Sequence, residues 1–461
     1  MTEILNDIYE TGLLPEDMKK SIFIALPKKP GAIECASHRT IGLMSQITKI
    51  LLKVIMERTK TKINMEIADV QFGFQQGKGT ANIIYTLRTV IERSLEKQKD
   101  IYICFIDYTK GFDRVQHSKL IEILKNIGID GKDLRIITNL YWEQTAAVRI
   151  DGETSPFQHI KRGVRQGCVL SPDLFSIYTE IIMRKLEDMP GIKVNGREIN
   201  NLRYADDTAL IADSEEKLQD LLDVVVKESK KMGLDLNEKK TEVMVITRKK
   251  TTINCCIKVN SEKLKQVKKI RYLGAIISED GKCEEDIKNR ITLAKTAFID
   301  MRPILTNRDT DMRTKLKILQ CYIEPILMYG CETWTINTQM QKKIEAVEIW
   351  FLRRMMKIAW TERKSNDCVL EEAGYRRSLV TKIKMRQAKF FGHIMRREGI
   401  EKLVTTGMME GKRAAGRQRM KLMDNIRNWK EGGSNVETIR ATSDRDRWKG
   451  MIAHAWKQGT R

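Results

Sequence analysis

Proline is scarce, with eight in 461 residues. No Pro-, Gly- or Ser-rich linker and no internal repeat is visible, which excludes collagen-like chains, solenoids and propellers. Long apolar runs are missing as well. No stretch approaches the ~20 residues of a membrane-spanning helix, and the N-terminal MTEILNDIYE is acidic, without the basic-then-apolar order of a signal peptide. The expectation is therefore an intracellular, non-secreted protein, in nucleus or cytoplasm, with no membrane partner. The nine cysteines form no framework: Cys255 and Cys256 are adjacent, the rest are scattered, and no CxxC or Cys/His cluster has zinc spacing. An odd, scattered set suits a reducing compartment.

What is present is apolar residue enough for real cores (41%) together with 31% charged residues. At ~150 residues per domain the length suggests two to four domains. The balance is basic, 83 Lys and Arg against 61 Asp and Glu, a formal +22. Such a charge favours a polyanion, through release of counterions from a phosphate backbone. The excess is uneven. Residues 341–461 hold 29 Lys and Arg against 14 Asp and Glu, and six of the seven Trp lie from Trp334 onward. A solvated helical face and a nucleic-acid surface are both open readings of that region.

Periodicity predicts helices over residues 1–66 around one extended piece, SIFIALPKKPGA, and a helix over 80–98 with Ile83, Ile84, Leu87, Val90, Ile91 and Leu95 on its apolar face. IYICFIDY (101–108) reads as a buried strand with a charge at its exit. Residues 115–145 read as helical and 146–162 as a hairpin around Asp151-Gly152. Helices follow at 172–187 and 215–232, on either side of a hairpin, and strands near 241–247 and 270–277. That is a mixed α+β unit. Beyond about 285 the pattern is helical, with Ile344, Val347, Phe351 and Ile358 on one face of residues 342–360.

The hairpin after 187 carries the densest chemistry. In NLRYADDTALIADS (201–214), Asp206 and Asp207 sit side by side between strand-like runs. A turn explains such a pair, since Asp favours turns. A cation explains it too, because adjacent carboxylates repel unless something positive lies between them. Asp107, in FIDYTKGFD (105–113), ends another strand and could project into the same cleft. One Asp from a strand end and two from a hairpin tip would suit Mg²⁺, which takes a few carboxylates plus substrate phosphates. Nucleotidyl transfer uses two such ions ~3.5–4 Å apart.

FIDYTKGFDRV, GVRQGCVLSPDLFSIYTE (163–180), YADDTALIADS, GLDLNEKKTEVM (233–244) and RYLGAII (271–277) occur in the order and spacing of reverse transcriptase motifs. They resemble those of non-LTR (LINE-type) retrotransposons. The segments LPEDMKKSIFIALPKKPGAIECASHRTIGLMSQITKILLKVI and QFGFQQGKGT are similar to that group's finger region, and FFGHIMRRE, GKRAAGRQRMKLMDNIRNW and DRDRW to its C-terminal region. The resemblance implies a right-hand polymerase fold: fingers, a palm with an antiparallel sheet, a helical thumb, and a basic helical C-terminal region. The divisions it suggests are fingers and palm over 1–280, thumb over 281–360, and a nucleic-acid-binding region over 361–461. It implies RNA-directed DNA synthesis with two Mg²⁺ ions (Mn²⁺ a possible substitute), and template RNA, primer or target DNA, and dNTPs as partners.

Carried over by position, Asp107, Asp206 and Asp207 are the expected metal ligands, helped by the Tyr108 carbonyl. Lys240 matches a lysine that protonates the departing pyrophosphate. Phe112 falls at the bulky position that excludes a ribose 2′-hydroxyl, although a plain core Phe fits the same pattern. Arg165 and Gln166 match the segment lining the incoming nucleotide, with Gly163 and Gly167 letting backbone come close. Arg39, with Lys28 and Lys29, matches basic finger positions that grip the triphosphate.

Several positions depart from the family. HRTI (38–41) replaces Tyr-Arg-Pro-Ile, which suggests a less rigid finger loop. KGFD replaces Lys-Ala-Phe-Asp, so Gly111 adds freedom beside the metal site, and Gln75 stands where Arg is frequent. The sequence starts within the finger region, without the upstream endonuclease usual in the group. The alternative expectation is therefore a truncated element copy that binds nucleic acid without polymerising. No cysteine follows Cys368, so His393 is expected to be packed or RNA-facing rather than a metal ligand.

Overall fold

The computed structural model describes residues 2–249, 253–413, 418–429 and 434–458. Its central sheet runs in the order Lys265–Gln266, Glu242–Ile246, Ile101–Ile106, Asp207–Ala212, Asn201–Tyr204. Neighbours are antiparallel apart from the short Lys265–Gln266 strand. Side chains alternate between two cores. Cys104, Ile106, Leu210 and Val245 enter one with helices Ser171–Met183 and Glu215–Lys231, whereas Ile103, Phe105, Ile211 and Met244 enter another with helix Thr80–Glu96. A sheet covered on both faces needs apolar residues at every position, which is why IYICFI shows no alternation.

A second sheet holds His38–Leu43, Lys20–Pro27, Thr145–Ile150 and Glu153–Thr154 in that order, with Gln158–His159 also on Thr145–Ile150. It corrects the expectation of one extended piece before residue 66. HRTIGL is a strand because six residues of Lys20–Pro27 pair with it in antiparallel register, from Ile22↔Leu43 to Pro27↔His38. Tertiary pairing overrides weak local propensity there. RYLGAII is likewise not one strand. It belongs to a separate hairpin, Lys269–Tyr272 with Ala275–Ser278, turning at Leu273 and Gly274, both at positive φ.

The helical half begins at Glu284–Asp300, and its attachment to the sheet is built on one buried carboxylate. Asp286 accepts hydrogen bonds from the Arg88 guanidinium (2.9 Å), the Trp334 indole (2.8 Å) and the Ile276 amide (3.0 Å). Helix Thr338–Met356 packs Ile344, Val347 and Phe351 inward as expected. Ile358 is a correction: the helix closes at Lys357 in a left-handed cap, and Ile358 lies past its end. The expected division at 360/361 does not coincide with a change in packing, because Val369, Leu379 and Ile383 complete the core around Phe298 and Trp334.

The basic C-terminal part is not an appended tail. Helix Ile400–Thr406 puts Ile400 and Val404 into the core of helix Thr80–Glu96, and Met409 bridges to Val194. Helix Leu379–Met395 packs Phe391 beside the buried Trp448. Of the GKRAAGRQRM stretch, residues 414–417 lie outside the described residues. Among the described residues no helix is long and apolar enough to cross a membrane. All nine cysteines are free thiols.

Candidate active site

The register of the central sheet brings the three aspartates to one end of it. Ile106 pairs with Thr208, so Asp107 leaves its strand where the hairpin enters Asp207, and Tyr204 pairs with Asp207 across a turn made by Ala205 and Asp206. Ala205 holds φ +59°, a conformation costly for a residue with a Cβ. Gln71 secures it: its Oε1 accepts from the Ala205 amide (3.2 Å) and the Gly73 amide (2.9 Å). A Cβ at Gly73 would meet the Ala205 nitrogen at 2.4 Å, so QFG lies directly against the turn. Below it, Arg203 and Glu180 form a fully buried fork of 3.0 and 3.1 Å.

The electrostatics are those of charges held together against their repulsion. Burial raises Asp207, with Asp206 and Asp107 adding to the effect, from 3.8 to about 6. Asp206 is also raised, chiefly by burial and further by Asp107, and the Arg39 guanidinium opposes that rise. Among the described residues no three carboxylate, imidazole or thiolate groups converge tightly enough to hold a metal alone. The donor set nonetheless fits a hard divalent cation: three oxygen-bearing side chains, mutually repelling, at an accessible sheet end. Mg²⁺ takes its remaining ligands from phosphates and water.

Segment 235–241 braces this end. The Asn237 amide donates to the Asp107 carbonyl (2.7 Å) and the Thr109 amide to the Asp235 carbonyl (2.9 Å), a bridge that does not use the Tyr108 carbonyl. Lys240 Nζ lies 3.6 Å from Asp107 Oδ2 and is mostly exposed. It is within reach of the site and free to move, and the contact itself contributes little stability.

Phe112 stacks on Phe175 (centroids 4.1 Å apart, 13° between planes) and meets Phe74 edge-on at 6.4 Å. Phe74, half exposed and at φ +60°, also leans on Tyr204. Sequence reasoning missed Phe74 and Tyr204 as parts of this wall; their flanking motif residues were the available signal. Gly111 has a different meaning from the expected freedom. A Cβ there would stand 3.2 Å from the Phe175 ring, so glycine leaves room for the ring under Phe112.

Arg39 occupies an exposed position on strand His38–Leu43, paired with Leu26, and faces Asp206 electrostatically. Gln166 Nε2 donates to Asp113 (3.1 Å) while its carbonyl accepts from Gly42 (2.8 Å), tying the second sheet to the segment after Asp107. Arg165 is a correction. Its guanidinium is buried, donating to the Gln144 side chain (2.9 Å) and the Lys19 carbonyl (2.9 Å), so it braces the second sheet rather than lining the cleft. Gly163 and Gly167, at φ +96° and +97°, approach the backbone of Asp113 and Gly42, not open space. His393 contacts Arg397, which donates to the Gly77 and Gln76 carbonyls.

A family model described as reverse transcriptase (RNA-dependent DNA polymerase) matches residues 26–277, a span that contains Arg39, Asp107, Phe112, Asp206, Asp207 and Lys240. Among curated proteins, the chain is 27% identical over 378 residues to the RNA-directed DNA polymerase from mobile element jockey of Drosophila funebris, covering 78% of this chain and 40% of that protein. It is 25% identical over 325 residues to the Pol polyprotein from type-1 retrotransposable element R2 of Popillia japonica, covering 68% and 44%. The chain thus spans less than half the length of these relatives. A telomerase of Candida tropicalis, solved with a TWJ fragment of telomeric RNA, aligns over 99% of this chain and 67% of that one, with 14% identity and a TM-score of 0.47. With more than half of its length matched by that family model, this chain belongs to the reverse transcriptase family.

Proposed function

We propose that the chain is an RNA-directed DNA polymerase of the non-LTR retrotransposon type, extending a primer 3′-hydroxyl on an RNA template. The observation that carries this reading is the meeting of Asp107 with Asp206 and Asp207 at one sheet end, where burial and mutual repulsion raise the pair. These side chains would hold Mg²⁺, with Mn²⁺ as a substitute, and the Tyr108 carbonyl would assist them. Bound divalent ions supply activation of the primer hydroxyl and charge neutralisation at the phosphates.

The protein's own groups have separable roles. Lys240, mobile and beside Asp107, donates a proton to the departing pyrophosphate. Arg39 binds dNTP phosphates from the second sheet. Phe112, backed by Phe175, blocks a ribose 2′-hydroxyl, and Gln166 positions Asp113 and the second sheet beside the nucleotide. In this reading residues 1–280 are fingers and palm, 281–360 begin a thumb whose core continues to Ile383, and the remainder binds template RNA or target DNA.

The test is incorporation of one labelled deoxynucleotide opposite an RNA template by the purified chain with Mg²⁺. Incorporation supports the polymerase. A folded chain that binds RNA and incorporates nothing supports the alternative, a nucleic-acid-binding element copy without polymerase activity.

A further inference from the structure

Outside the carboxylate site, a cleft of about 690 Å³ opens where helix Thr338–Met356 ends, lined by Arg302, Trp350, Arg353, Arg354, Lys357 and Trp360, with Thr306, Ile358 and Ala359. Four of its lining residues are cationic and none is a carboxylate. Arg353 and Arg354 complement the negative end of the helix. Lys357 caps the same helix end, whereas Arg302 belongs to another helix, Arg302–Leu305, so the dipole does not account for Arg302. Lys295 and Arg354 both stand 5.1 Å from the centre of the Trp350 ring, so like charges gather with no lining anion between them.

Trp360 is the second, independent observation. It is 84% exposed, whereas Trp334 and Trp448 are buried to 0% and 1%. The Arg353 guanidinium lies over it, 5.5 Å from the ring centre. The indole is held in a short turn that the Glu362 carboxylate closes on the Ala359 amide (2.7 Å). An indole kept in water beside cations offers a stacking face next to phosphate-binding groups. Bases of an unpaired strand present such faces, and duplex bases do not. Trp and Arg also anchor protein interfaces, but charge is depleted at the core of such interfaces, whereas four of the nine residues lining this cleft are cationic.

We infer that this cleft is a binding site for single-stranded nucleic acid, with a base stacked on Trp360 and phosphates held by Arg302, Arg354 and Lys357. The inference does not rest on the polymerase reading. The site would hold an unpaired strand away from the carboxylates, whether RNA or DNA.

The experiment uses the full chain and 20-nucleotide RNA and DNA strands carrying 5-iodouracil, which crosslinks under ultraviolet light to a stacked aromatic. Peptide mapping is expected to place the adduct on Trp360, for one strand type or both. Trp360→Ala should abolish that adduct and weaken single-strand binding about tenfold, while Trp360→Phe retains binding. Duplex and heparin binding should be unchanged in Trp360→Ala. Arg354→Gln should flatten the dependence of log K on log salt by about 0.7 for one lost phosphate contact. Trp142→Ala, at a half-exposed tryptophan, serves as control, and circular dichroism checks folding. Adducts mapping only elsewhere, or equal single-strand affinity of Trp360→Ala and wild type, would overturn the inference and leave the cleft to an acidic protein. Primer extension on a short annealed duplex, run on the same preparations, reports on the polymerase separately.

Discussion

Replacing Asp207 with Asn should stabilise the metal-free protein at pH 8 and do nothing for it at pH 4. Asp207 titrates near 6 instead of 3.8, first because it is buried and then because Asp206 and Asp107 repel it. Its proton is held more tightly in the folded state than in the unfolded one. Its contribution to stability is therefore complete below pH 3.8 and is lost as pH rises through 6. A shift of about two pH units corresponds to roughly 3 kcal/mol at pH 8. Asn keeps the shape and carries no charge, so the variant escapes that loss. The assay is thermal unfolding of both chains in EDTA from pH 4 to pH 8. A gap of roughly 3 °C should open between pH 4 and pH 6 and hold to pH 8. Glu92, raised by burial to about 7, titrates in both chains and cancels in the difference. Mg²⁺ should narrow the gap by stabilising the wild type more, since binding to the folded state adds to its stability. Equal unfolding temperatures at pH 8, or the same gap at pH 4, would refute the picture of a strained carboxylate cluster.

Other outcomes follow from the same geometry. Phe112→Val should raise ribonucleotide incorporation relative to deoxynucleotide by tenfold or more, and Phe74→Ala should move that ratio the same way by less, measured by single-nucleotide kinetics. Arg39→Ala should raise KM for dNTP several-fold with a smaller change in kcat, because it removes a charge-assisted contact to phosphate. Glu180→Ala leaves Arg203 buried and unpaired, and should cost about 3–5 kcal/mol in denaturant unfolding. A change below 1 kcal/mol would mean that the fork does not support the hairpin.

The legible part of the fold was the part written in local pattern. Strand Ile101–Ile106 follows from its unbroken β-rich apolar run, helices Thr80–Glu96 and Glu215–Lys231 from apolar spacing, and the Asp206-Asp207 hairpin from its flanking runs. Strand His38–Leu43 was not legible, because its reason is a partner strand that itself pairs with residues over a hundred positions away. The same holds at the site. Carboxylates announce themselves by charge, but the meaning of Arg165 depends on which carbonyls surround it, and here they are those of Lys19, Leu140 and Met18. Gly111 looked like a loss of rigidity beside Asp107, and only the position of the Phe175 ring gives it a packing reason.

The central claim is that Asp107 and the Asp206-Asp207 pair act as one cation-holding unit for DNA synthesis on RNA. Its most direct test is primer extension by the wild-type chain, Asp107→Asn and Asp206→Asn, with RNA affinity measured on each preparation. The account predicts extension by the wild type with Mg²⁺, none by either variant, and RNA binding nearly equal in all three. Extension by either variant at the wild-type rate would contradict it.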